Sequence, residues 1–213
     1  MTAALFHQEY LQTIAPDGHA AIGYDQEWYG LLWRRRAGCG PTTAANMLTY
    51  LHRAGQLILP DVADPSMPEG LMDLCWNYIT PTMWGLNTTG LFRDGADRLL
   101  ASFGSLLRSH VLDVDKDERL RPTAGETAVF IEKGLAANSP VAFLNLSNGA
   151  VEHLDAWHWV TVLGLERQGA NVVLRVLDNT NILSVDLALW LRTTTRGGGF
   201  VYLALPGEAE STS

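Results

Sequence analysis

Residues 140–205 contain five short runs rich in β-branched and aromatic side chains: PVAFLNL (140–146), WHWVTVLGLE (157–166), NVVLRVLD (171–178), ILSVD (182–186) and FVYLAL (200–205). Turn-forming Gly or Asn segments separate most of them. A chain ending this way is bound to build a sheet, and connections this short make neighbouring strands antiparallel. The pattern upstream is helical. After Cys39, apolar residues fall at Ala44, Met47, Leu48 and Leu51, the i, i+3, i+4, i+7 stripe of a buried helix face. A second helix is expected over 69–79, with Leu71, Leu74, Cys75 and Tyr78 on one side, and two more over 91–107 and 123–137. Residues 56–68 hold three prolines and read as a loop. Helices first and an antiparallel sheet after is the α+β order. The expected organisation is one domain: a helical subdomain over about 1–138, a β subdomain over about 139–206 and a frayed tail at 207–213.

Composition narrows the function classes. A chain of 213 residues, 47% of them apolar, can bury a core without metal or disulfide staples. Its net charge of −8 speaks against a nucleic-acid partner, which normally meets a basic face, and mildly favours a basic substrate. The one basic run, Arg34-Arg35-Arg36, reads as a solvated loop; the alternative is a patch that attracts an acidic substrate. The N-terminal stretch lacks the basic and apolar regions of a secretion signal, and no apolar run approaches the ~18 residues of a membrane span. A cytoplasmic location is expected. The two cysteines, Cys39 and Cys75, form no CxxC pair, so neither a disulfide framework nor a structural zinc site is expected. Nothing in the sequence speaks to oligomeric state.

The stretch GCGPTTAANML (38–48) places Cys39 between glycines just ahead of a helical stripe. Pro41 suits a first helical turn, where its missing N–H has no intrahelical partner. A thiol at that position meets the positive end of the helix dipole, which favours thiolate, and outward-facing backbone N–H groups are placed to receive an oxyanion. Cys75, inside LMDLCWNYI, reads as core packing.

A catalytic thiol needs a base close in space and a third group to orient that base. Of six histidines, His7 and His19 lie in loosely patterned sequence, His52 is over three turns along the same helix, and His110 ends a helix candidate. His153 sits in an acidic loop. His158 opens a strand, sharing one face with Val160, Val162 and Gly164. If Gln168 and Gly169 form the hairpin loop that follows, His158 comes opposite Asn179; a one-residue slip sets it opposite Asp178. Either side chain can fix the imidazole tautomer. Trp157 and Trp159 flank the histidine, as core packing or as aromatic surface near a site. A metal set of His153, Asp155 and His158 does not match a standard zinc spacing.

Cys39-Gly40-Pro41-Thr42, then His158-Trp159-Val160-Thr161-Val162-Leu163-Gly164, then Asp178, resemble the ordered motifs of bacterial papain-like cysteine peptidases. The branch they resemble most is related to the double-glycine leader peptidases of bacteriocin export. The resemblance covers about Trp33 to Leu51 and Trp157 to Thr180. It implies a papain-like α+β fold, with a helical half packed on an antiparallel sheet. It also implies a Cys39–His158–Asp178 triad, a thioester acyl-enzyme, a peptide or amide substrate and no cofactor. Asn179 is the alternative orienting residue. The family carries Gln six residues before its cysteine as an oxyanion donor; here that position is Trp33, and the nearest upstream Gln is Gln26, thirteen residues before Cys39. Both are oxyanion candidates. A transglutaminase-like acyl transferase runs the same residue order, and an inactive peptidase-like binding module would explain the displaced Gln.

Overall fold

The computed structural model describes residues 2–65, 68–169 and 171–207; most of the tail expected at 207–213 lies outside the described residues. In chain order the elements are β1 (Thr2–Ala4), β2 (Gln12–Ile14), β3 (Ala20–Ile22), α1 (Leu32–Ala37), α2 (Cys39–Arg53), α3 (Pro68–Tyr78), α4 (Thr89–Ser102), β4 (Arg108–Val114), α5 (Ala124–Ala136), β5 (Val141–Asn145), β6 (His158–Gln168), β7 (Asn171–Asp178), β8 (Asn181–Asp186), α6 (Leu187–Thr193) and β9 (Gly198–Ala204). Side chains fix several helix starts. Thr88 accepts from the Leu91 N–H, Asp186 accepts from the Leu189 N–H, and Thr123 and Glu126 form a reciprocal capping box.

The expected α+β class is what forms. Strands run β4-β9-β5-β6-β7-β8, with every pairing antiparallel, and β1 also pairs with β6. The division into a helical and a β half is not clean, because β1 and β4 join this sheet from before residue 138. The helix expected over 91–107 stops at Ser102, and His110 lies on β4 and not at a helix end. The edge strand is mostly half-exposed, so it lacks a clear alternation of apolar and polar residues. β1 and α6 are too short for periodicity to reveal. The basic run is also not a loop: Arg34–Arg36 lie on α1, with Arg34 paired to Asp73 and Arg35 donating to the Tyr29 carbonyl at 2.7 Å.

Each sheet face has its own core. Strand alternation sends Ala142 and Leu144 of β5, with Val201 and Leu203 of β9, toward α2, α3 and α4. Val141 and Phe143, with Phe200 and Tyr202, face α5 and α6. The centre of the first layer is α2. From Gly40 to Leu51 every residue is buried, more than a single stripe predicts, because the sheet, α3 and the N-terminal segment enclose the helix.

Burying a helix all round strands any polar side chain that lacks a partner. Asn46 satisfies that demand with two cross-element bonds. Its Oδ1 accepts from the Tyr24 N–H at 2.9 Å, and its Nδ2 donates to Thr161 Oγ1 at 3.1 Å. One side chain therefore ties α2 both to β6 and to the segment leading to Gln26. Replacing Asn46 with Leu leaves the Tyr24 amide and Thr161 hydroxyl unsatisfied at no gain in space. We expect a loss of about 1–3 kcal/mol. Urea unfolding should show it as a lower midpoint with an unchanged slope.

Candidate active site

Cys39 is the first residue of α2 and is half-buried. Gly38, between α1 and α2, is held by space: an added Cβ would strike the Arg34 carbonyl oxygen and the Tyr29 ring. At Gly40 it would strike the Leu86 side chain. The two glycines let the chain pass from one helix to the next with the thiol at the junction. No side chain caps the start of α2. Its first N–H groups are therefore left for another acceptor.

His158 is the first residue of β6. The residue before it, Trp157, has φ 57°, a left-handed conformation costing about 1–3 kcal/mol for a bulky side chain. Asn145 steadies this approach. It pairs opposite His158 on β5, is fully buried, and its Nδ2 donates to the Asp155 carbonyl at 2.7 Å. Its Oδ1 accepts from Trp190 Nε1 at 2.8 Å.

The hairpin register differs from the expected one. Gln168 pairs with Asn171, so residues 169 and 170 form the connection, the latter outside the described residues. A bulge between Val162 and Gly164 then shifts the pairing by one, which sets Thr161 opposite Leu177. Continued one step, this puts Asp178 opposite Val160 and makes it a diagonal neighbour of His158. Imidazole and carboxylate are long enough to bridge a diagonal pair. His158 Nε2 donates to Asp178 Oδ1 at 2.7 Å, with both side chains nearly buried.

With Nε2 engaged, Nδ1 is the ring nitrogen left to face Cys39, which lies near enough to favour the charged imidazole. Cys39, His158 and Asp178 thus come together. Burial alone would favour the neutral imidazole; the hydrogen bonds to Asp178 and Cys39 and their charges outweigh it and push His158 up to about 10. Behind Asp178, Asn179 donates from Nδ2 to Asp178 Oδ1 at 3.3 Å and accepts the Gln26 N–H at 3.2 Å. Asn179 therefore stands behind the acid and is not the imidazole's partner. The Gln26 side-chain oxygen is buried with no hydrogen-bond partner.

A cleft of about 240 Å³ opens beside Cys39, and Trp33 and Trp157 line it. Trp159 is buried and donates from Nε1 to the Leu86 carbonyl at 2.6 Å. Of the two tryptophans flanking His158, one is core and one is surface. A larger cavity, about 790 Å³, lies by β2, β3 and Arg53 and does not include Cys39 or His158. Cys75 is fully buried, which pushes its thiol far above the usual range. His153 donates to the Ser184 carbonyl at 2.7 Å, and among the described residues no three His, Cys, Asp or Glu gather as a metal set. Sequence pattern does not single out Asn46 or Asn145. The one available signal is an asparagine, a poor helix former, inside the apolar pattern of α2.

His158 should keep its ring proton through neutral pH and release it only toward pH 10, because its folded-state value is raised. Histidine NMR titration should show this, and Asp178→Asn should move the transition down toward the ordinary range near pH 6.5. No protein-family model matches the chain, and none of the curated proteins matches it either.

Proposed function

We propose that this chain is a papain-like cysteine hydrolase that cleaves a peptide or amide bond through a thioester acyl-enzyme. The observation that carries the reading is His158, held by Asp178 on one side and close enough to Cys39 for the thiol to raise its pKa. As Cys39 Sγ bonds to the substrate carbonyl carbon, His158 Nδ1 holds the proton the thiol has given up. The carbonyl oxygen becomes an oxyanion facing the uncapped N–H groups of α2. The C–N bond then breaks as His158 passes its proton to the leaving amine. The same ring takes a proton from water, the resulting hydroxide adds to the thioester carbon, and the acid leaves as the thiol is restored.

Gln26 is the side-chain oxyanion donor in this reading. Its backbone is tied to Asn179 beside the acid, and its side chain is not engaged with the protein through its buried oxygen. Trp33, half-exposed on α1, is a wall of the cleft and not the Gln replacement.

The test is an epoxysuccinyl peptide probe followed by intact mass and peptide mapping. A single adduct on Cys39 is expected, absent from Cys39→Ala and never on Cys75. Labelling no faster than that of free cysteine would leave the chain a binding module. Gln26→Ala should slow amide turnover by about 10²-fold while leaving iodoacetamide labelling of Cys39 within a factor of two, since alkylation forms no oxyanion.

A further inference from the structure

Three of the seven tryptophans in the chain line the cleft beside Cys39, and all three are exposed: Trp33 at 51%, Trp84 at 71% and Trp157 at 47%. They come from α1, from the loop between α3 and α4, and from the residue before β6. Met83, beside Trp84, is 80% exposed. These are not loose side chains on a slack loop. Thr82 and Gly85 exchange backbone hydrogen bonds of 3.1 and 2.9 Å, and Thr82 Oγ1 accepts the Trp84 N–H at 3.1 Å. The Trp159 indole then anchors the turn through the Leu86 carbonyl. A rigid turn that carries two large apolar side chains into water beside a thiol is a built surface.

The charge of this surface opposes the charge of the chain. Among the described residues, the cleft lining includes no Asp or Glu; its one charged member is Arg36. Arg34 pairs with Asp73 and Arg35 with a carbonyl, but Arg36 is exposed and makes neither a hydrogen bond nor an ion pair among the described residues. A second exposed cation, Arg196, lies with its guanidinium 5.2 Å from the centre of the Trp157 ring.

We infer that the cleft selects an acidic peptide, one that presents a bulky apolar side chain next to an Asp or Glu beside the scissile bond. The apolar group lies among Trp33, Met83 and Trp84, and the carboxylate pairs with Arg36. This rests on the hydrolase reading only for the word scissile; the binding preference stands by itself. It reverses the expectation of a basic substrate drawn from net charge, because screened charges elsewhere on the surface act weakly here.

The test uses full-length Cys39→Ala, which binds without turnover, and four blocked tetrapeptides carrying Phe or Ala next to Glu or Gln. Calorimetry should give the tightest binding for Phe with Glu, and roughly a tenfold preference for Glu over Gln. Adding Arg36→Gln should abolish that preference while leaving the Phe–Gln peptide within twofold; Arg36→Lys should retain part of it. Trp84→Ala should erase the Phe-over-Ala preference and keep the charge preference. Equal binding of Glu and Gln peptides by Cys39→Ala, or a uniform loss in Arg36→Gln, overturns the inference. So does binding of a chitin oligosaccharide in place of every peptide. If the preferences appear but the protein with Cys39 intact leaves the peptides uncut, the cleft assignment survives and the hydrolase reading falls. If the peptides are cut without regard to charge, the hydrolase reading survives and the cleft assignment falls.

Discussion

The position of α2 against β6 is the constraint on which the site depends. The helix carries Cys39 at its first residue, and the strand carries His158 at its first. A slide of one residue along either axis moves a side chain by about 1.5 Å in a helix and 3.3 Å in a strand. A hydrogen bond tolerates neither. Apolar packing by itself is non-directional and would accept several registers. Asn46 removes that freedom, because its two bonds are met only where Tyr24 and Thr161 both stand in reach. The polar group at the centre of an otherwise apolar layer thus serves placement, and the thiol and imidazole meet as a result.

The second shared device is the junction of β6 and β7. Sequence pattern alone suggests a simple hairpin, and it does place a side chain near the imidazole. The bulge after Val162 changes which one. Because of the shift, Asp178 meets the ring diagonally, and Asn179 falls behind the acid and joins it to Gln26. The result is one line of polar contacts from the loop of Gln26 to the imidazole of His158. Apart from the adjacent Asp178 and Asn179, its members lie far apart in sequence.

Much of this arrangement is legible in the sequence. Gly38, Cys39, Gly40 and Pro41 announce a tight helix entry, and the space around both glycines gives the reason. The strand at His158 and the neighbouring Asp178 follow from alternation and a turn. What is not legible has physical causes. The bulge adds one residue beside Gly164, and a lone glycine in a strand hints at a bulge without fixing the register it leaves. β4 lies at an edge and is mostly half-exposed, so its sequence RSHVLDV lacks the contrast that betrays a strand. Asn46 and Asn145 gain their roles from partners 10 to 115 residues away in the chain. Net charge does not fix local charge: a chain of −8 presents an arginine and, among the described residues, no carboxylate at this cleft, since a sum over the surface says little about one wall of it.

The central claim is that Cys39, His158 and Asp178 act as one unit, with the acid felt by the sulfur only through the ring. A double-mutant cycle on the rate of Cys39 alkylation by iodoacetamide at neutral pH reads this directly. Asp178→Ala should slow the reaction markedly in the parent protein and have no further effect once His158 is Ala. Equal slowing by Asp178→Ala in both backgrounds would mean the acid does not act through the imidazole, and the unit described here would not exist.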